Sequence, residues 1–512
     1  MTWRDHMPRT NRRRRLAFAG VLAGGLLAAT GIRLAASAAR DSNAAPQVWD
    51  VARLSAMQMP LALGPKAHHV SSDYYYRIPV RKIYESYPVY HPDREPAGYM
   101  QWLESQEPKE VPDVASDASE EELRAAGKRV FEAPIFFDLP HDNLSEVRNP
   151  SWYKQTRMPV AATGVMPFYR YVVREKGRVD VGTHSCATCH TRILEDGSTL
   201  EGAQGNYPFE QVYAYIVRRF ESELEPTLAR ARIVGGERLR YGAPWLNPDP
   251  MQRVFDMSLE QIATLHGSIP PGVMSRTNTS PVCPVQVTDL FGVAARPYFD
   301  HTGFLENRSI GDLMRYVALV QGASTLVRYD DVPNQPNLPD PKTLQRYSDA
   351  QLRALAHYVY SLTAPPAPAV SADLQARGRA IFEREGCDGC HAGPLYSNGK
   401  LLAVAGNSLS HPPPLGRPIS PRQVGTDPCL ALYTRKGTGY YRVPSLLGVR
   451  YRGPLGHAGA AQTLEEWFDR RRLEAPGSEE PAFNGRGKQG HRYGLDLSEE
   501  DRRTLIAFLR TL

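Results

Sequence analysis

"EGCDGCHAGP", residues 385–394, holds two cysteines separated by two residues, with a histidine directly after the second. "THSCATCHTR", residues 183–192, carries the same device about two hundred positions earlier. In each, the spacing lets both thiols add to the vinyl groups of one haem while the adjacent histidine turns under the ring to ligate iron. Cys186, Cys189 and His190 are thus one c-type attachment site, and Cys387, Cys390 and His391 the other. Zinc would need the two pairs to converge on one ion, usually across a short interval, and would not require a histidine after each. A thioredoxin-like pair would want a βαβ context, which neither site has. The other two of the six cysteines, Cys283 and Cys429, either bond to each other in an oxidising compartment or serve as small buried apolar groups.

The duplication extends beyond the motifs. "LRAAGKRVFE" (123–132) aligns with "LQARGRAIFE" (374–383), keeping Leu, Gly and Phe at helical spacing. "DLFGVAARPYFDHTG" (289–303) aligns without a gap with "SLLGVRYRGPLGHAG" (445–459), which sets His301 opposite His457. "YSDAQLRALAHYVYSL" closes the first copy and "LSEEDRRTLIAFLRTL" the second; Ser348 and Ser498 are good N-caps, and leucines mark one face of each helix. The expected fold is mainly α: two cytochrome c-like helical domains with long loops, at 119–362 and 371–512, arranged as an internal repeat. A Pro-rich linker at 363–370 joins them, and the Tyr/Pro-rich residues 41–118 are expected to wrap irregularly around the body. The copies are unequal. Only "REG" separates entry helix from motif in the second, whereas the first inserts about fifty residues there and has a longer run afterwards. Long loops around one haem predict a pocket shaped for more than electron storage.

Residues 1–40 form a separate unit: the basic "RTNRRRR", an apolar run from Leu16 to Ile32, and the small residues "AASAA". This is the pattern of an export signal, and the run is just short of spanning length, so cleavage is expected over retention as an N-terminal anchor. The segment carries eight Arg and one Asp, against a net charge of +6 for the whole chain. The basic character therefore belongs to targeting, and no basic patch argues for nucleic acid. Haem is attached outside the cytoplasm, so signal and motifs both point to the periplasm.

From about Leu123 to Leu512 the sequence resembles the bacterial di-haem cytochrome c peroxidase superfamily, most clearly in "RVPSLLGVRYRGPLGHAGAAQTLEEW" and the closing helix. The resemblance implies two packed cytochrome c domains, one haem receiving electrons from a redox protein and the other meeting an oxidant such as hydrogen peroxide or dioxygen. The rubber oxygenases of that superfamily are similar in plan, with large loops around the N-terminal haem. One departure stands out. Peroxidases of the family ligate the electron-transfer haem with a Met beyond the "TLEE" helix, but all eleven methionines here lie at or before Met314, and Arg471 sits near the expected place.

Histidines must then supply the second haem's sixth ligand. His411 lies in a Pro loop and His457 in the repeated block; His491, in "KQGHRYGLDLS", sits on a glycine loop, has no counterpart in copy one and is the favoured ligand. Around the first haem, His184, His266, His301 and His357 are all available, and none stands out as a permanent ligand. Trp245 and Trp467 are candidates for a position between the haems. These features favour an exported di-haem oxidoreductase of peroxidase type, with an N-terminal reactive haem and a C-terminal relay. The alternatives are an oxygenase acting on an organic substrate and a pure electron-transfer cytochrome. A pyridine haemochrome assay on the purified chain is expected to find two covalent haems, and changing Cys387 and Cys390 together to Ala should remove one of them.

Overall fold

This computed structural model describes residues 47–137, 143–276, 279–329, 337–407, 417–422, 425–456, 458–473 and 490–512. The export segment, His411 and His457 lie outside the described residues. The chain is mostly helical, 41% helix against 14% strand. Seven helices carry the argument: α1 (Glu120–Glu132), α2 (Phe209–Glu223), α3 (Leu259–Gly267), α4 (Ile310–Leu326), α5 (Asp349–Ser361), α6 (Ala372–Arg384) and α7 (Glu499–Leu509). Six of them start at a serine whose hydroxyl accepts a first-turn N–H: Ser119, Ser258, Ser309, Ser348, Ser371 and Ser498. The cap satisfies a backbone donor that the helix itself leaves free.

Two helix pairs repeat one crossing. α1 lies on α5 so closely that a methyl group at Gly127 would stand 2.0 Å from the Ala354 carbonyl oxygen and 2.7 Å from Tyr358 Cβ. α6 lies on α7 with Gly378 in the same role, its absent methyl 2.3 Å from Phe508 Cβ and 3.1 Å from the Thr504 carbonyl oxygen. The sequence alignment equates Ala354 with Thr504 and Tyr358 with Phe508. The 289–303 and 445–459 blocks also match locally: Gly292 and Gly448, at φ 68° and 66°, each open a short 3₁₀ turn, Val293–Ala295 and Val449–Tyr451. Beyond the blocks the two copies part. α4 runs for 17 residues, whereas the second block leads only into the four-residue helix Leu464–Trp467 and a 3₁₀ turn.

The insertions of the first copy are partly strand, which the helical reading did not foresee. β1 (Ser86–Tyr90) pairs antiparallel with β2 (Val165–Glu175), which pairs in turn with β3 (Arg178–Gly182). β1 comes from the Tyr-rich upstream segment, so that segment is built into the body rather than only wrapped around it. Its start is anchored by the fully buried Trp49, stacked on Tyr75 at 4.4 Å and donating from Nε1 to the Val70 carbonyl at 2.9 Å. The described residues form one compact unit. A disulfide between Cys283 and Cys429 ties the region of the first motif to that of the second, and Arg435 Nε donates to the Gly242 carbonyl across the same boundary at 2.7 Å. Among the described residues no helix is long and apolar enough to cross a membrane. Gly378→Ala should lower stability by about 1–3 kcal/mol, the cost of overpacking a close helix crossing, measured as a lower thermal midpoint with haem content unchanged.

Candidate haem sites

Cys186–His190 forms a single helical turn, so Cys186, Cys189 and His190 fall on neighbouring positions of one face. Ser185 caps it: its hydroxyl accepts from the Thr188 N–H at 3.1 Å, while Thr188 Oγ1 accepts from the Ser185 N–H at 3.0 Å. Thr188 Oγ1 also donates to the Phe168 carbonyl at 2.7 Å, fastening the turn to β2. The Gly205 N–H donates to the Cys189 carbonyl at 3.1 Å, an approach that leaves no room for a side chain. Burial pushes the Cys186 thiol up to about 12 and the His190 imidazole down to about 4, the latter helped by Arg276 and opposed by Asp289. Both groups are therefore neutral, as haem attachment and iron ligation by imidazole require. The Thr288 backbone faces His190, but no complete hydrogen bond closes on Nδ1, which is buried without a partner.

The second motif is a 3₁₀ turn, Cys387–Gly389, opened by Gly386 at φ 70°. His391 Nδ1 donates to the Tyr396 carbonyl at 3.0 Å, which fixes the tautomer and leaves Nε2 free to bind metal. His391 and His491 line one cavity, walled by apolar groups such as Phe382, Leu455, Leu464, Phe468 and Leu505. Arg472 donates to the His491 carbonyl at 2.5 Å, and Trp467 meets the imidazole edge-on at 5.5 Å. Burial, then His391 and Arg472, depresses the His491 imidazole to about 3. Its Nδ1 is buried with no partner. Of the other sequence candidates, Trp467 stands at this cavity, Trp245 packs on Tyr329, and Arg471 pairs with Asp469.

Between the motifs lies an excess of buried positive charge. Asp289 pairs with Arg296 at 2.5 Å and with Arg452 at 2.8 Å. Arg442, also buried, donates from Nε to the Asp300 carbonyl at 2.9 Å and lines the second cavity. Burial and the neighbouring Arg296 lower its guanidinium to about 10. Near the first motif, Arg276 hydrogen-bonds Tyr316, and burial lowers the Lys436 ammonium to about 8, with Asp300 opposing and Arg276 reinforcing. Buried cations call for anions. Orphaned imidazole nitrogens, paired neutral thiols, an apolar cavity and unmatched guanidiniums together fit a covalent haem, whose propionates would supply negative charge to these cations.

No family model matches the chain. Over 174 residues it is 32% identical to the cytochrome-c peroxidase IdrP1 of Denitromonas iodatirespirans, an alignment covering 28% of this chain and 41% of that protein. The chain is a distant relative of a cytochrome c peroxidase. It thus falls in line with the di-haem peroxidase superfamily that its motifs resemble, while spanning less than half the length of the curated relative it matches. Among solved structures, hydrazine synthase from Kuenenia stuttgartiensis matches at 17% identity and a TM-score of 0.30, covering 58% of this chain and 92% of that one. A MauG-like protein associated with microbial copper homeostasis matches at 13% and 0.28, covering 44% and 73%. Superpositions this loose carry no argument about fold or function.

The four histidines that the sequence offered to the first haem have protein partners. His357 Nδ1 bonds Glu120 at 2.7 Å, and His301 Nε2 lies 2.9 Å from the Gln286 carbonyl oxygen. His184 is held at φ 62° with Nδ1 2.9 Å from Thr183 Oγ1. His266 on α3 is fully buried, with Nδ1 bonded to the Glu210 carboxylate of α2 and Nε2 3.5 Å from Glu237. Glu210 also accepts the Ser275 N–H, so this ion pair braces the strand that presents Arg276 to the first motif. Burial works against the charged imidazole, but Glu237 and Glu210 outweigh it and raise its pKa from 6.5 to about 9. The stabilisation is complete below about pH 6.5 and lost as pH rises through 9. The thermal midpoint should fall over that interval in the wild type and fall less in His266→Gln. His266→Ala, which strands buried carboxylates, should cost ~3–5 kcal/mol near pH 6.

Proposed function

We propose that the protein is an exported di-haem c-type cytochrome acting as a peroxidase-type oxidoreductase, built from two cytochrome c domains. Cys186 and Cys189 hold one haem and Cys387 and Cys390 the other, with His190 and His391 as proximal ligands and His491 as the sixth ligand of the second. Bound there, haem supplies a redox-active iron that exchanges electrons or activates an oxidant according to its open position and distal polarity.

The observation that carries the reading is the unequal surroundings of the two motifs. His391 shares its cavity with a second neutral imidazole whose backbone is pinned by Arg472. Two such ligands saturate an iron and suit it to relay electrons from a redox partner. Around His190 stand cations and a proton donor beside the carboxylate of Asp289: Arg276 in electrostatic contact with the imidazole, and beyond it Tyr316 and Lys436. Peroxide cleavage needs protons delivered to oxygen and charge stabilised beside it, in a site that excludes bulk water. Lys436, held near 8, gives and takes a proton close to neutral pH. The Arg276 guanidinium can hold an anionic oxygen in place. Dioxygen as oxidant with an organic substrate is the second reading, supported by the length of the insertions around the first motif.

Replacing His491 by Ala should convert the second haem from low to high spin and change its reduction potential; an unchanged low-spin spectrum would exclude His491 as ligand. Exogenous cyanide should perturb the first haem and spare the second, after partial reduction of the protein if required. Equal resistance of both haems in every redox state would favour pure electron transfer.

A further inference from the structure

The Tyr-rich segment upstream of the first copy has no part in the haem sites described above. In the fold it supplies the outer end of a run of oxidisable rings. Tyr207 lies within electrostatic reach of Cys189, and its hydroxyl shares a buried 2.7 Å hydrogen bond with that of Tyr169. The Tyr169 ring is 5.9 Å from Trp152, which meets Tyr153 edge-on at 5.1 Å. Tyr153 in turn is in electrostatic contact with both Tyr169 and Tyr171. Tyr171 stands 6.3 Å from Tyr99, and Tyr99 stacks on Trp102 at 5.7 Å with planes 13° apart. Trp102 is 45% exposed.

We propose that this run conducts single electrons from a neutral phenol at Trp102 to the first haem site, giving the protein a second, surface site of one-electron oxidation. The proposal rests on the peroxidase reading of that haem. Tyrosine and tryptophan are the side chains most readily oxidised by one electron, and rings in contact exchange electrons faster than an enzyme turns over. A core needs only apolar volume, which Phe supplies without a polar group to satisfy. Here every position from Tyr207 to Trp102 is Tyr or Trp, even where this is costly: Trp152 Nε1 is buried with no partner. Two carboxylates near Trp102, one in sequence and one through Tyr87, are paired, Glu107 with Lys176 and Glu85 with Lys109, which suits an uncharged donor.

The balance closes. A hydroperoxide becomes an alcohol or water, plus a second water, by taking two electrons and two protons. Two phenol molecules each lose one electron at Trp102 and one proton to water, and the two protons consumed by the hydroperoxide are drawn from solvent. Burial holds the Tyr169 and Tyr207 phenols well above their ordinary range, so neither ionises in the interior. An electron lost from Tyr207 is replaced by one from Tyr169, and so outward ring by ring to Trp102, while the proton of the shared hydrogen bond stays between the two oxygens, so that each ring ends the cycle with the electrons and protons it began with. Trp102 releases an electron inward and its indole proton to water, then regains the electron from the donor and the proton from water.

The test uses the full mature protein carrying both haems, treated with hydrogen peroxide alone. The readouts are the haem optical spectrum, an organic-radical EPR signal, and peptide mass spectrometry of Trp102. Oxidised Trp102 is expected, protected by added guaiacol, and lost in Tyr207→Phe and in Tyr169→Phe while the haem spectrum still responds to peroxide. If the haems respond but Trp102 stays intact, or is oxidised equally in both variants, the electron path is overturned and the peroxidase reading stands. If peroxide changes neither haem, the peroxidase reading falls and the path with it.

Discussion

One buried carboxylate joins the two halves of this chain. Arg296 donates to the Asp289 and Phe291 carbonyls, and Arg452, its counterpart in the sequence alignment, donates to the Ser445 and Leu447 carbonyls, so each guanidinium closes the glycine turn of its own block in the same way. The copies diverge at the first residue of the block, Asp289 in one and Ser445 in the other. The single Asp289 side chain then serves both arginines. Stripped of it, two guanidiniums would be left buried and unpaired, at a cost of several kcal/mol. The same shortage of negative charge runs on through Arg442, and it makes this interior fit an anionic cofactor better than an apolar filling.

What the sequence made readable is what is local. The attachment motifs, the serine caps and the glycines at the two helix crossings depend on residues a few positions apart, or on a match between two aligned segments, and both survive translation into a string of letters. His491 was within reach because the methionines stop at Met314 and few histidines follow His391. Its place in the cavity of His391 depends on Trp467 and Arg472.

The strands and the charged groups around the first motif were not readable. β2 alternates too imperfectly to advertise itself, having buried residues on both sides of the sheet. Arg276 and Lys436 stand about 160 positions apart, with the whole second motif between them, and no periodicity links them to His190. His266 offered a ligand to the eye, but its partners Glu210 and Glu237 sit on other helices, and only the packing of α2 on α3 turns it into an ion pair. A lone signal could have been the run of glutamates and histidines at positions that ought to be apolar on amphipathic helices.

The Cys283–Cys429 bond spans 146 residues and encloses Cys387 and Cys390 within its loop. Closing a loop of that length stabilises the folded chain by about 5 kcal/mol on the chain-entropy model. It also sets a problem of chemical selectivity. On the proposed function, six thiols emerge into an oxidising compartment, and two must meet each other while four must stay reduced long enough to be alkylated. The two attachment pairs sit in tight turns that favour oxidation within the pair, whereas Cys283 and Cys429 meet only after hundreds of residues have found their places. Assembly of this protein is therefore a contest between oxidants and reductants, decided by the order in which parts of the chain fold.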